Sequence, residues 1–183
     1  MKVEQIYTSC LSQGAYFIES NGEAAVIDPL REVSNYLKLA EDSNSKIKYV
    51  FETHFHADFI SGHLTLANKT GAKIVYGPKA DPNFESIIAE DNQVFKIGAV
   101  TITAVHTPGH TLESTSYILK NETGKEHCIF TGDTLFSLGC GRVFEGTHLE
   151  MLNSLNFIKR LPIDTRIYCG HEYTQKNLDF CIK

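Results

Sequence analysis

Histidines and carboxylates are concentrated in one short stretch of the chain, residues 52–59, which reads ETHFHADF. His54 and His56 stand two residues apart, and Asp58 follows two residues later. Imidazole nitrogen suits zinc, copper, iron and nickel, and a carboxylate extends the range towards manganese and ferrous iron. Because many histidine pairs at this spacing are ordinary surface residues, the stretch by itself is a weak indication of a metal site.

Three further clusters strengthen that indication. They read HTPGHT up to His110, FTGDT around Asp133 and YCGHEY around His171. Each cluster follows a short apolar run and has a glycine beside the candidate ligand, which lets the backbone turn tightly and approach a bound ion. We therefore expect four strand ends to bring their side chains to one metal centre.

Apolar runs and turn signals indicate the elements that must position these clusters. Strands are expected over residues 3–7, 15–19, 24–27, 47–51, 73–76, 94–97, 100–105, 116–120, 127–130 and 166–168, with an Asn21-Gly22 hairpin turn. Helices are expected over 33–40, from 60 towards Gly71, and over 149–161, and residues 79–92 are expected to form a short helix and a loop. Two runs of strands, each followed by helices, fit two packed sheets with helices outside.

The composition fits one globular domain over residues 1–183, since 42% hydrophobic and 21% charged residues are ordinary values. A net charge of −5 argues against a nucleic-acid surface, and no apolar run approaches the ~20 residues of a membrane span. Five cysteines without a Cys-x-x-Cys motif indicate reduced thiols, and hence a cytoplasmic location.

In their order, the clusters resemble the metallo-β-lactamase superfamily, whose usual motif is His-x-His-x-Asp-His. That resemblance implies the α/β fold of the superfamily, an αβ/βα sandwich of two mixed β-sheets with helices on the outer faces and the metal at the sheet edge. Residues 1–136 are similar to the persulfide dioxygenases. Residues 131–180, with GDTLF, GCGRVFEG and CGHEYT, are similar to glyoxalase II, the hydroxyacylglutathione hydrolase.

The metal ligands that the resemblance implies are His54, His56, His110, Asp133, Asp58 and His171. Phe59 stands where the superfamily motif has its last histidine, and a phenyl ring cannot donate a lone pair. The second metal site of the superfamily is therefore short of a ligand, although a packing substitution in a dinuclear site remains open. Persulfide dioxygenases hold one Fe(II) ion by residues that match His54, His110 and Asp133, which leaves His56 to orient a ligand or water. One Fe(II) ion is the favoured cofactor, and Zn(II) is the alternative.

Further roles concern the chemistry and the substrate. Arg142 matches a basic residue that holds the glutathione moiety in both relatives, so it is assigned to a substrate carboxylate; a solvated surface cation is the alternative. Tyr173 is assigned to substrate binding, with a core position as its alternative. Asp58, His171 and Tyr173 are the candidate catalytic residues.

The favoured function is a mononuclear iron dioxygenase that oxidises a glutathione-type persulfide. A glyoxalase II-type hydrolase of a thioester such as S-lactoylglutathione is the alternative, and a weakly active metal-binding module is the third hypothesis. The chain ends twelve residues beyond His171, without the C-terminal helical domain of glyoxalase II, which leaves a truncated or mosaic chain open. The expected partner is a small glutathione-type thiol, without nucleic acid or membrane, and a homodimer is left open.

Overall fold

The computed structural model describes residues 1–182, apart from the side chain of Glu126, and consists of two β-sheets with four helices. In chain order the elements are β1 (Lys2–Thr8), β2 (Gln13–Ser20), β3 (Glu23–Ile27), α1 (Ser34–Asp42), β4 (Lys46–Phe51), α2 (His63–Thr70), β5 (Lys73–Tyr76), β6 (Ile87–Ile88), β7 (Val94–Ile97), β8 (Val100–His106), β9 (Thr115–Lys120), β10 (Glu126–Gly132), α3 (His148–Lys159), β11 (Arg166–Cys169) and α4 (Thr174–Cys181).

The first sheet has six strands in the order β1-β2-β3-β4-β5-β6, and the second has five in the order β11-β10-β9-β8-β7. Strands β1 to β3 pair antiparallel, whereas β4, β5 and β6 each join in parallel. In the second sheet, β11 pairs parallel to β10 and the other pairs are antiparallel. The β2–β3 hairpin turns at Asn21 and Gly22, with φ of 51° and 78°, as the sequence predicts.

The main core lies between the two sheets because side chains on a strand point alternately to opposite faces. Tyr16 and Ile18 of β2 face the second sheet and share a buried cluster with Ile102 and Phe130. Their neighbours on β2 point the other way and pack in a separate cluster with residues of α1 and α2. Helix α3 covers the outer face of the second sheet. The predicted αβ/βα sandwich is confirmed.

Two hydrogen bonds join the sheets where β4 ends. The main-chain N–H of Thr115 donates to the carbonyl of Thr53 at 2.8 Å, and the hydroxyl of Tyr117 donates to the carbonyl of Glu52 at 2.9 Å. The start of the first histidine cluster is thereby tied to β9 of the opposite sheet.

The elements differ from the sequence-based expectations in three places. Residues 79–92 contain the short strand β6 instead of a helix. Helix α2 begins at His63 and not near residue 60, because Ser61 pairs with Leu30 and its hydroxyl donates to Glu52. Helix α4 was not predicted, since its face carries no buried residue and leaves no clear apolar stripe. Within residues 1–182, no helix has the length and apolarity needed to cross a bilayer.

Candidate metal centre

Three of the predicted ligands converge where strand ends of the two sheets meet. His54 follows β4 of the first sheet, whereas His110 and Asp133 follow β8 and β10 of the second. One ligand atom from each of these residues lies within 4.8 Å of the other two. His110 Nε2 stands 3.7 Å from Asp133 Oδ2, and the His54 and His110 rings meet edge to face with centroids 5.0 Å apart.

His54 is oriented by a hydrogen-bond chain behind its ring. The Thr53 hydroxyl donates to Asp28 Oδ2 at 2.8 Å, so Thr53 Oγ1 is free to accept from His54 Nδ1, which lies 3.0 Å away. This arrangement leaves the lone pair of Nε2 for a metal. Burial, followed by the neighbouring His56, lowers the pKa of His54 well below its usual value and keeps the ring in the neutral form that binds metals.

His110 is oriented in the same way by the main chain of Arg142. Its Nδ1 donates to the Arg142 carbonyl at 2.8 Å, which again leaves Nε2 for a metal. The Arg142 side chain is exposed at the same place, with its guanidinium carbon 4.9 Å from the centre of the Phe144 ring. One residue therefore offers its backbone to a ligand and its cation to solvent.

His171 links the metal-facing aspartate to a second, more exposed one. Its Nδ1 lies 2.7 Å from Asp133 Oδ1 and its Nε2 lies 2.8 Å from Asp58 Oδ2. Burial opposes protonation, but the two carboxylates outweigh it and raise the pKa of His171 to about 9, so both nitrogens donate. The hydrogen bond from His171 lowers the pKa of Asp58 to about 2. The Asp58 side chain is 44% exposed, whereas that of His171 is buried.

Glycines allow these groups to approach each other closely. A Cβ at Gly170 would stand 2.6 Å from Asp133 Oδ1, and one at Gly132 would stand 2.5 Å from Thr53 Oγ1. Gly132 also has φ of +50°, at the irregularity between Phe130 and Gly132 where β10 and β11 shift register. Side chains at these two positions would displace the metal-facing aspartate and the threonine behind His54.

Tyr173, which the sequence assigns to substrate binding, lies against His171. Its ring stacks on that of His171 with centroids 5.1 Å apart and planes at 1°, and Phe136 meets it edge-on at 5.4 Å. The Tyr173 ring therefore covers the face of the imidazole that joins the two aspartates.

His56 lies beside the triad and turns away from it. Its ring centroid is 4.2 Å from that of His54, but its Nε2 stands 3.1 Å from Asp28 Oδ1 and 3.4 Å from Glu52 Oε2. Phe59 stacks on the His56 ring at 4.3 Å. Against the effect of burial, the charge of Asp28 and the hydrogen-bonding capacity of both carboxylates raise the pKa of His56 well above its usual value.

Sequence reasoning missed three residues of this site: Asp28, Glu52 and Thr53. Thr53 and Glu52 carry no motif of their own, and Asp28 lies far from them in the chain. The available signals were an acidic residue directly before the histidine cluster and Asp28 at the end of β3, where its φ of 49° is uncommon for a residue with a side chain.

The donor set fits a divalent transition metal. Two imidazole nitrogens with their far nitrogens already hydrogen-bonded, together with one carboxylate oxygen, form the kind of three-ligand set that binds zinc or ferrous iron and leaves positions open. The favoured sequence hypothesis of one ion at His54, His110 and Asp133 is compatible with this geometry.

The family model described as metallo-beta-lactamase superfamily matches residues 9–171. A hydroxyacylglutathione hydrolase of Pelagibacter ubique is 44% identical over 163 residues, which are 87% of this chain and 65% of the relative. A cytoplasmic hydroxyacylglutathione hydrolase of Arabidopsis thaliana is 40% identical over 182 residues, covering 96% of this chain and 70% of the relative. The crystal structure of ETHE1 from Myxococcus xanthus superposes with a TM-score of 0.85 at 30% identity, covering 94% and 76% of the two chains. This chain spans about two-thirds of the length of the two hydrolases.

These findings correct the favoured function. The expectation of a mononuclear persulfide dioxygenase is wrong, because curated relatives at 39–44% identity are named hydroxyacylglutathione hydrolases. The expectation gave great weight to Phe59 and placed the hydrolase similarity in residues 131–180. Similarity to the hydrolases extends over 87–96% of the chain in the two relatives above, and a single ring at position 59 cannot outweigh it.

Proposed function

Since the chain belongs to the metallo-beta-lactamase superfamily, we propose that it is a metal-dependent hydrolase that cleaves the thioester bond of an S-acyl glutathione. The observation that carries the proposal is the convergence of His54, His110 and Asp133, combined with strong similarity to hydroxyacylglutathione hydrolases. Water adds to the thioester carbonyl, the carbon–sulfur bond breaks, and the products are a carboxylic acid and the free thiol.

In this proposal His54, His110 and Asp133 hold one zinc ion, with Fe(II) as the other metal that suits the set. When bound there, the ion would supply Lewis acidity that polarises a carbonyl and lowers the pKa of water towards neutrality. Thr53 and the Arg142 carbonyl keep both histidine rings fixed before the metal binds. Fixed ligands lose little freedom on binding, so the geometry favours a tight site.

The other residues bind substrate and orient water. The exposed Arg142 guanidinium contacts a glutathione carboxylate, where the planar fork suits two oxygens. Asp58, half-exposed beside the centre, orients the attacking water as a hydrogen-bond acceptor, since a carboxylate with a pKa of about 2 is a weak base. His171 orients Asp58 and Asp133 through its two nitrogens, and Tyr173 holds the imidazole by stacking and contacts substrate. The glutathione moiety therefore enters from the Arg142 side.

The test is hydrolysis of S-lactoylglutathione by the zinc-loaded chain. The loss of thioester absorbance and the release of thiol measure the rate. His110→Ala and Asp133→Asn should each lower kcat/KM by about 100-fold or more, because each removes one of three ligands. His148→Ala, which alters an exposed histidine at the start of α3, is the matched control and should retain activity. A zinc-loaded wild-type chain that cleaves no acyl-glutathione would contradict the proposal and favour a metal-binding module.

A further inference from the structure

A groove runs along the outer face of the second sheet, between α3 and the edge strand β11. Ile167 of β11 pairs beside Ile129 of β10 and therefore points to the same face. Ile158 of α3 packs on Ile129, which is fully buried, but the helix leaves Ile167 48% exposed. The turn of residues 161–165 borders the groove where the chain passes from α3 to β11, and the groove has a volume of about 490 Å³. This volume falls within the range of small-molecule sites, roughly 300–1,000 Å³.

The lining of the groove is almost entirely hydrocarbon. Apart from Lys159 and Thr165, every residue that lines it has an aliphatic side chain. One of them, Ile163, is fully exposed. A concave aliphatic surface that faces water indicates a ligand or a partner. The lining contains none of the predicted metal ligands, so the groove is separate from the metal centre.

The two polar side chains of the lining lack partners. The ammonium group of Lys159 makes no ion pair with another residue in the part of the chain that the structure describes. The Thr165 hydroxyl oxygen is buried and has no hydrogen-bond partner among the same residues. A buried hydroxyl without a partner is costly, so its partner is to be sought outside the chain. Because an ammonium group and a hydroxyl group both donate hydrogen bonds, together they suit an anion.

The composition of the lining favours a flexible alkyl chain over a protein segment. Protein interfaces concentrate aromatic residues and arginine at their centres, and the lining of the groove has neither. Its positive charge, with no negative charge beside it in the lining, complements a monoanion. A hydrocarbon tail that ends in one carboxylate meets both requirements.

We propose that the groove binds the anion of a medium-chain fatty acid. The carboxylate accepts hydrogen bonds from Lys159 and from the Thr165 hydroxyl, while the alkyl chain covers Ile163 and Ile167. The hydroxyl reaches the carboxylate by rotation about the Cα–Cβ bond of Thr165, which breaks no hydrogen bond. The site is independent of the reaction at the triad, because the two share no residue.

The test is isothermal titration calorimetry of the zinc-loaded chain with sodium decanoate, below the concentration at which decanoate forms micelles. One decanoate should bind per chain. Hexanoate, which is four methylene groups shorter, should bind about 30-fold more weakly or worse, because each buried methylene group contributes to affinity. Decyltrimethylammonium has a similar tail and the opposite charge, and it should bind about tenfold more weakly. Equal affinities for the anion and the cation would overturn the proposal, since they would show adsorption of any surfactant.

Two substitutions in the lining locate the carboxylate. Lys159→Gln should weaken decanoate binding by about three- to fivefold, and Thr165→Val by about tenfold, whereas Thr165→Ser keeps the hydroxyl and should retain the affinity. Lys69→Gln is the matched control, because Lys69 is the basic residue in the last turn of α2 as Lys159 is in the last turn of α3, and it lies outside the groove. Its affinity for decanoate should be that of wild type. Binding that is insensitive to both Lys159→Gln and Thr165→Val would place the carboxylate on the metal and overturn the proposal.

Light scattering over a range of protein concentrations tests the other occupant, a second copy of the chain. Ile163→Asp adds a charge to a fully exposed side chain, so the variant should fold and should bind decanoate more weakly. A wild-type chain that dimerises, with the dimer lost in Ile163→Asp, would overturn the proposal, because the groove would then be an interface between copies. A monomeric wild-type chain that binds no decanoate would overturn it as well.

Discussion

At the scale of single residues, the orientation of the ligands depends on groups that carry no chemical motif. His54 and His110 were identifiable from spacing, because clustered histidines at strand ends are a local pattern. Thr53 stands next to His54 in the chain, but its hydroxyl is held by Asp28, 25 residues away. The Arg142 carbonyl lies 32 residues from His110, and a main-chain carbonyl has no sequence signal at all. The sequence could therefore predict the ligands but not what fixes their rings.

Replacing Thr53 with Val should lower zinc affinity by about 10- to 100-fold, because it removes the oxygen that accepts from His54 Nδ1 and donates to Asp28. Competition with a chromophoric chelator measures the dissociation constant. Thr53→Ser keeps the hydroxyl and should retain most of the affinity. Equal affinities for the Val and Ser variants would show that the hydroxyl does not position His54.

Replacing Arg142 with Ala should raise KM for S-lactoylglutathione more than it lowers kcat, since the side chain contacts a part of the substrate remote from the carbonyl. The main-chain bond to His110 survives the change, so zinc content should stay constant. Arg142→Lys should recover part of the KM effect through charge without the planar fork. Steady-state kinetics separates the two constants. An unchanged KM would show that Arg142 is a solvated surface cation that does not contact the substrate.

At the scale of elements, apolar runs and turn residues predicted most strands, because strands whose two faces are both covered are apolar along their length. The sequence did not predict β6, because two residues are too few to show an apolar pattern and the strand is defined by its pairing with β5. It did not predict α4, because that helix buries no residue. The sequence therefore could not predict a strand that depends on tertiary pairing, such as β6, or a helix with weak amphipathicity, such as α4.

The parallel contact of β10 with β11 should be sensitive to any added side chain at Gly170. Gly170→Ala places a methyl group 2.6 Å from Asp133 Oδ1, so the carboxylate must move and zinc affinity should fall by about tenfold or more. Gly124→Ala is the matched control, because a Cβ there has no atom within 4 Å. Its φ of +80° makes it cost some stability, but zinc affinity should be unchanged.

At the scale of the whole molecule, the core between the sheets isolates the one cysteine it contains. Cys128 is fully buried, whereas Cys10, Cys140 and Cys181 are exposed. Burial raises the pKa of the Cys128 thiol to about 12, so it has almost no thiolate near neutral pH.

Iodoacetamide at pH 8 should therefore alkylate the three exposed cysteines of the native protein and leave Cys128 unmodified. In denaturant, where its pKa returns towards the ordinary value, Cys128 should react at a rate similar to the others. Mass spectrometry of peptides before and after unfolding measures this. Rapid alkylation of native Cys128 would contradict the burial of this strand.

The triad takes His54 from one sheet and its other two ligands from the opposite sheet, so neither sheet alone contains all three of its ligands. A chain that has formed all its strands but has not yet docked the two sheets cannot bring the three ligands of the triad together. Pairings between distant segments form late, because loop-closure entropy opposes them. The binding of metal to the triad should therefore report the last stage of folding, in which the two sheets dock. In a refolding experiment with cobalt, the ligand-field absorbance should rise with the slow docking phase, after far-UV circular dichroism has recovered.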